Sequence, residues 1–206
     1  MDQGDREKGQ GVDGPREEGE HPIDHLFGTL LRSGSGRTIL ILVAVLALFS
    51  LAVVRPLYDR IETFSGGIGA IDALIVYTPE RAYEMIAAYG QQGRQYYATI
   101  ALTVDTAFPL LLALTFSLIL ASVFRRAFAR AGVQHRAVLV PVAALAADLL
   151  ENAGIVALLL SYPKRLPAVA VLASAFSTTK WTAVAAEATL VFVGLLALLI
   201  HKVQQR

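Results

Sequence analysis

The sequence predicts an all-α fold, a membrane-embedded four-helix bundle, and three observations support that prediction. Hydrophobic residues make up 55% of the 206-residue chain, which is above the share typical of soluble domains. The mean hydropathy is positive. Four separate apolar segments are each close to the ~20 residues that an α-helix, rising ~1.5 Å per residue, needs to cross the hydrocarbon layer of a bilayer. We therefore expect a multi-pass membrane protein whose first partner is the lipid bilayer.

The four predicted spans belong to one transmembrane domain, 38–206. They comprise residues 38–54, 96–124, 137–161 and 178–200. The second span contains Asp105 and Pro109, and its length predicts that it tilts or kinks. The fourth belongs to a longer apolar run that begins at Pro167, and we expect the first turns of that run to lie outside the hydrocarbon.

Residues 1–37 form a polar N-terminal tail. Gly, Asp, Glu and Arg dominate its first half, and large apolar side chains are nearly absent there. Such a segment buries too little apolar surface to offset the entropy of ordering. We therefore predict that the tail is disordered.

The long connection between the first two spans contains the signals of a short helix at 79–89. Thr78 is a good N-cap, Pro79 suits the first helical position, and Gly90 suits the end. Apolar residues recur at helical spacing along this segment, which indicates one apolar face. A plain surface helix is the favoured interpretation, and a lid over a site is the alternative.

Basic residues near the span ends predict the orientation, because they are retained on the cytoplasmic side during insertion. Eight of them flank one side: Arg32, Arg37, Arg125, Arg126, Arg130, Arg136, Lys202 and Arg206. The bases on the other side are accompanied by several acids of the long connection. We therefore predict that both termini are cytoplasmic.

Ionisable and amide side chains recur within the last three predicted spans. Asp148, Glu151 and Asn152 stand at i, i+3 and i+4, and therefore share one helix face. Lys180 and Glu187 are seven residues apart and share a face as well. The predicted topology places four groups in the outer half of the bilayer and leaves Asp148 and Glu187 nearer its middle. The four are Asp105, Glu151, Asn152 and Lys180.

The charges of this cluster do not balance. Its four carboxylates are Asp105, Asp148, Glu151 and Glu187, whereas Lys180 is the one cation within the predicted spans that could reach them, with Arg94 just beyond the outer end of the second span. Excess acid in a medium of low dielectric constant has to be resolved by protonation, water or a bound cation. We therefore expect a site for a proton, a cation or the polar group of a lipid-like ligand. The structural alternative is that these residues pair between helices and fix their register.

Composition and motifs exclude several other functions. A net charge of +1 without a basic stripe argues against nucleic-acid binding. The absence of cysteine removes disulfides and thiol chemistry. No histidine lies within the predicted spans, which disfavours a zinc hydrolase, and no nucleophile has a basic partner nearby. We accordingly expect no metal and no cofactor, and we assign no catalytic residue.

The segment YTPERAYEMIAAYGQQGRQYY, followed by Asp105 and Pro109 and then by DLLENAGI, resembles small bacterial four-helix integral membrane proteins to which no activity is assigned. The resemblance covers about 71–200 and implies a bacterial plasma membrane. It also implies that ten residues matter together: Tyr77, Gly90, Gly93, Arg94, Asp105, Pro109, Asp148, Glu151, Asn152 and Lys180. It implies no reaction, substrate or cofactor.

Three functions remain open at this stage. The first is an acidic pocket that binds a proton, a cation or a lipid-like ligand. The second is a lipid-modifying membrane enzyme with carboxylates as general acid and base, which we favour less. The third is a structural subunit that binds a membrane partner protein or a second copy of itself through small residues.

Overall fold

The computed structural model describes residues 35–128 and 133–205. The predicted disordered tail therefore lies almost wholly outside the described residues. Part of the connection between the second and third spans and the last residue of the chain also lie outside the described residues.

The structure confirms the all-α prediction. Within the described ranges there is no strand. The helices are α1 (Gly36–Phe49), a π-helical turn (Ser50–Val54), α2 (Arg55–Phe64), a 3₁₀ turn (Ile71–Ala73), α3 (Pro79–Ala88), α4 (Gly90–Leu102), α5 (Val104–Ala127), α6 (Val133–Ser161) and α7 (Pro167–Gln204).

Four helical stretches of the described chain are long and apolar enough to cross a membrane. We call them the first to fourth spans: Gly36–Phe64, Gly90–Ala127, His135–Ser161 and Pro167–Gln204. The first joins α1, the π turn and α2, and the second joins α4 and α5. Four such helices are compatible with a multi-pass membrane protein.

The helices are longer than the predicted spans. The first continues ten residues past 54 to Phe64, and the fourth begins at Pro167 instead of 178. The prediction counted the residues needed to cross hydrocarbon, whereas a helix continues as long as its backbone hydrogen bonds do. Hydropathy alone therefore marks the middle of each helix better than its ends.

The second span is interrupted before its proline. α4 and α5 meet at Thr103, whose backbone (φ −115°, ψ −77°) departs from helical values. Pro109 lies inside α5 and, lacking an N–H, leaves the carbonyl of Asp105 four residues earlier without its usual helical donor.

The predicted helix in the long connection is present as α3. The Thr78 hydroxyl accepts a hydrogen bond from the N–H of Arg81 at 3.2 Å, and Pro79 is the first helical residue. Gly90 then adopts φ +63° between α3 and α4, a conformation that favours glycine. The buried face of α3, which includes Met85 and Ile86, packs into the core of the bundle.

The spans pack unequally. α6 lies between α5 and α7 and contacts both extensively, whereas α1 packs chiefly against α5, where Phe49 stacks on Phe108 with ring centroids 6.0 Å apart. No residue in the apolar window of the first span is buried. The larger core lies at the end of the bundle that carries residues 65–89, which we call the loop end.

Candidate functional site

The segment 65–78 folds back along α7. Tyr77 donates its backbone N–H to Ser174 Oγ at 2.9 Å, and Ser177 donates its hydroxyl to the carbonyl of Leu74 at 2.5 Å. Thr178 Oγ1 also bonds the carbonyl of Ile75, at 2.9 Å. Non-helical backbone that is buried against a helix needs hydrogen-bond partners from the protein. These α7 hydroxyls meet that need, and we call 65–78 the return segment.

Asp72 is a buried carboxylate of the return segment. Its carboxylate accepts hydrogen bonds from the hydroxyls of Tyr58 and Tyr97, the latter at 2.5 Å, and its N–H donates to Tyr97 Oη at 3.2 Å. Tyr89 packs edge-on against Tyr97, with ring centroids 5.5 Å apart. A carboxylate from the connection is thus held by tyrosines of the first and second spans.

Lys180 links the return segment to the third span. Its Nζ lies 3.1 Å from Asp148 Oδ1 and 2.6 Å from Glu151 Oε2, and it donates to the carbonyl oxygen of Asp72 at 3.1 Å. The Glu151 contact is ionic and lies outside hydrogen-bond geometry. Glu151 is fully buried. The single ammonium group therefore contacts three oxygen atoms.

Asp105 joins the cluster through the second span. Asn152 Nδ2 donates to the carbonyl oxygen of Asp105 at 2.9 Å, which is the carbonyl that Pro109 deprives of its helical donor. The Asp105 side chain is 6% exposed, and its Oδ2 has no hydrogen-bond partner among the described residues. Buried carboxylate oxygens without partners are rare because their desolvation is costly.

A cavity of about 330 Å³ lies beside these groups. Asp72, Asp105, Asp148 and Lys180 line its loop end. Its walls are apolar and come from the first span and from α5, α6 and α7. Trp181, which is 37% exposed, stands at its edge. The cavity therefore has a charged end and an apolar body.

Glu187 lies apart from the ion pairs. It is buried and lines the cavity, but it is seven residues along α7 from Lys180, which corresponds to a rise of ~10 Å. The fourth span thus presents a cation at the loop end of the cavity and a carboxyl group further along it.

Most of the predicted site residues converge. Asp105, Asp148, Glu151, Asn152 and Lys180 are brought into contact or border the same cavity. Arg94 is not part of this group: its guanidinium stacks over the Tyr162 ring at 4.2 Å and donates to the carbonyl of Ile86 at 3.3 Å. The whole set as a ligand site stays a prediction.

Sequence reasoning missed Asp72, Tyr58 and Tyr97. Asp72 was treated only as one of the acids of the long connection. Nothing in the sequence indicated a polar partner for either tyrosine. One signal was present: Ser174, Ser177, Thr178 and Lys180 lie close together on one side of α7. Such a polar stripe indicates a polar neighbour, here the backbone of the return segment.

Two tyrosines of the connection are held in their neutral form. Burial, followed by the nearby charges of Glu151 and Asp72, raises the pKa of the Tyr77 hydroxyl well above its usual value. Burial, again with Asp72, also raises the pKa of Tyr89, whose hydroxyl donates to the carbonyl of Gly69 at 2.9 Å. The Tyr77 hydroxyl, in contrast, is buried without a hydrogen-bond partner among the described residues.

The described residues contain no group of three or more His, Cys, Asp or Glu side chains arranged to hold a metal ion. Comparisons of the chain with protein-family models, with curated proteins and with solved structures found no match. The geometry of the cavity is therefore the basis for proposing a function.

Proposed function

We propose that this chain is a multi-pass membrane protein that binds a lipid-like molecule, with the polar end of that molecule at the loop end of the cavity. The observation that carries the proposal is Asp105, a buried carboxylate that lines the cavity with Oδ2 unpartnered among the described residues. A ligand group that donates a hydrogen bond there would offset the cost of burying that oxygen.

The shape of the cavity supports a ligand with an apolar part. Its volume of about 330 Å³ is at the lower end of the roughly 300–1,000 Å³ of ligand pockets, which typically combine apolar walls with a few polar groups. Leu112, Leu145 and Val184 contribute to those walls. A chain of methylene groups would find apolar surroundings, while its polar end would face Asp105.

The packing of the first span supports entry from the bilayer. This span lines the cavity through Val54 and Tyr58, yet it packs chiefly against α5. A helix held mainly along one side can move away from its neighbours at lower cost than a helix in the centre of the bundle. In the predicted orientation the polar end of the ligand lies in the outer half of the membrane.

The chain's single tryptophan provides the test. Because Trp181 stands at the cavity edge, its fluorescence should change saturably when the protein in lipid nanodiscs is titrated with 1-O-dodecylglycerol, an uncharged amphiphile. Ala113→Leu and Ala144→Leu narrow the cavity, and each should weaken binding by about 10-fold or more, equivalent to ~1.4 kcal/mol. The two substitutions lie on different helices, so the test still holds if one of the variants misfolds.

Ala146→Leu is the matched control, because Ala146 lies on the exposed side of α6 and does not line the cavity. It should bind like the wild type. A fluorescence change that never saturates, or that is the same in all four proteins, would show only partitioning into the bilayer. The binding proposal would then be wrong, and a structural subunit would be the better explanation.

A further inference from the structure

We infer that the polar end of the ligand is positively charged, so that the cavity takes an amphiphilic ammonium compound. This inference rests on the proposed function and adds the sign of the charge. Three observations carry it: the balance of charges around the cavity, the occupied state of Lys180, and the aromatic rings beside the carboxylates.

The carboxyl groups that line the cavity outnumber its cations. Asp72, Asp105, Asp148 and Glu187 line it, and Lys180 is the one cationic side chain among the described lining residues. Glu151 adds a further carboxyl group behind Lys180. An anionic ligand would enter a region already rich in negative charge, whereas a cationic one would reduce the imbalance.

Lys180 is poorly placed to attract an anionic ligand. Its Nζ already contacts Asp148, Glu151 and the carbonyl oxygen of Asp72 within 3.1 Å. One hydrogen of the ammonium group goes to the Asp72 carbonyl oxygen, and two carboxylates at 2.6 and 3.1 Å already offset its charge. Beside the Lys180 contacts, Asp105 Oδ2 lines the cavity without a hydrogen-bond partner among the described residues, on a residue that is only 6% exposed. That atom accepts hydrogen bonds when ionised and repels anions.

Aromatic rings complete a surrounding suited to an organic cation. Tyr58, Phe108 and Trp181 all line the cavity. Phe108 is held in place by stacking on Phe49, and Lys180 Nζ lies 5.6 Å from the centre of the Trp181 ring, so that ring already faces one cation. Aromatic faces beside carboxylates are the surroundings in which proteins recognise quaternary ammonium groups.

The same surroundings fit a bare metal ion less well. Calcium needs six or more oxygen ligands close together, and the described residues contain no cluster of acidic side chains arranged for a metal. An ammonium head on an apolar chain matches both parts of the cavity. A metal ion would leave the apolar body empty.

The test compares two amphiphiles with the same chain. The protein in nanodiscs is titrated, with Trp181 fluorescence as the readout, with dodecyltrimethylammonium chloride and with dodecyldimethylamine N-oxide, whose head is similar in size but carries no net charge. The wild type should bind the ammonium compound about 10-fold more tightly. Asp105→Asn should remove most of that preference, while binding of the amine oxide stays within about 3-fold of wild type.

The control for general attraction of cations to an acidic surface is Asp59→Asn. Asp59 is an exposed carboxylate of α2 that does not line the cavity, so the preference should persist in this variant. Equal binding of both amphiphiles by the wild type would overturn the inference and leave the proposed function standing. A preference that survives in Asp105→Asn would also overturn it. Saturable binding of neither compound would refute the proposed function itself.

Discussion

Lys180 and its acidic neighbours show how a single cation is held inside this bundle. The ammonium group lies within 3.1 Å of oxygens from Asp148, Glu151 and Asp72, and these residues come from the third span and from the return segment. Buried ion pairs add little net stability, because desolvation offsets their attraction. Their geometry, however, fixes how the elements that carry them are arranged.

Removal of that cation should be strongly destabilising. Lys180→Met leaves two buried carboxylates without compensation, so we expect the free energy of unfolding to fall by about 3 kcal/mol or more. The double variant Lys180→Met/Glu151→Gln should recover part of that loss, since one uncompensated charge is removed. Chemical unfolding in detergent measures both changes.

Lys202→Met provides the control for loss of a lysine, because Lys202 is exposed in the last turn of α7. Its unfolding should match that of the wild type. Wild-type stability in Lys180→Met would mean that the acids are already protonated and that the ion pairs described above do not hold the bundle together.

The second span shows how a proline inside a helix can be used at the scale of an element. Pro109 deprives the carbonyl of Asp105 of its donor, and Asn152 of α6 supplies a donor at 2.9 Å. The second span was predicted to tilt or kink, and its backbone departs from helical values at Thr103. The proline's clearest role is to free a backbone oxygen for a contact between helices.

This relation predicts a coupling between two distant sequence positions. Asn152→Ala should lower the free energy of unfolding by about 1–2 kcal/mol, because a buried carbonyl loses its partner. In a Pro109→Ala background the cost should be clearly smaller, since the new N–H can bond the Asp105 carbonyl within the helix. A double-mutant cycle on the unfolding free energies measures this coupling.

Pro141→Ala is the matched background, because Pro141 also lies inside a helix but four residues after a carbonyl that Asn152 does not contact. The cost of Asn152→Ala should be unchanged there. Equal coupling in both backgrounds, or none in either, would contradict the role assigned to Pro109.

Among the described residues, α6 and α7 form the most extensive contact between two helices. A Cβ atom added at Gly154 of α6 would lie 2.9 Å from the Ala173 Cβ of α7, so these helices approach as closely as small residues permit. Asp148, Glu151 and Lys180 lie on the same pair of helices. Their separation therefore sets whether Lys180 can reach Asp148 and Glu151.

Enlarging Gly154 should accordingly weaken the whole bundle. Gly154→Ala should lower the unfolding free energy by about 1–3 kcal/mol through overpacking, even though alanine favours a helix by ~1 kcal/mol over glycine. Adding Ala173→Gly should relieve the clash. Thermal or chemical unfolding of the two variants and the wild type would check this order.

Gly36→Ala is the control, because a Cβ at Gly36 would meet no atom within 4 Å. It should be neutral or slightly stabilising. If Gly154→Ala stabilised the protein as well, the α6–α7 interface would be looser than the structure indicates.

The sequence alone predicts the all-α class, the number of spans and the α3 helix. It also predicts that Asp148, Glu151 and Asn152 share one helix face. Each depends on residues that are neighbours along the chain, through hydropathy, capping or helical spacing. The tertiary structure alone decided that Asp72, Tyr58 and Tyr97 join the polar cluster and that Arg94 does not. The physical reason is that a non-helical segment has no periodicity to reveal its path. The return segment is placed by hydrogen bonds to residues 103 positions away, as between Leu74 and Ser177.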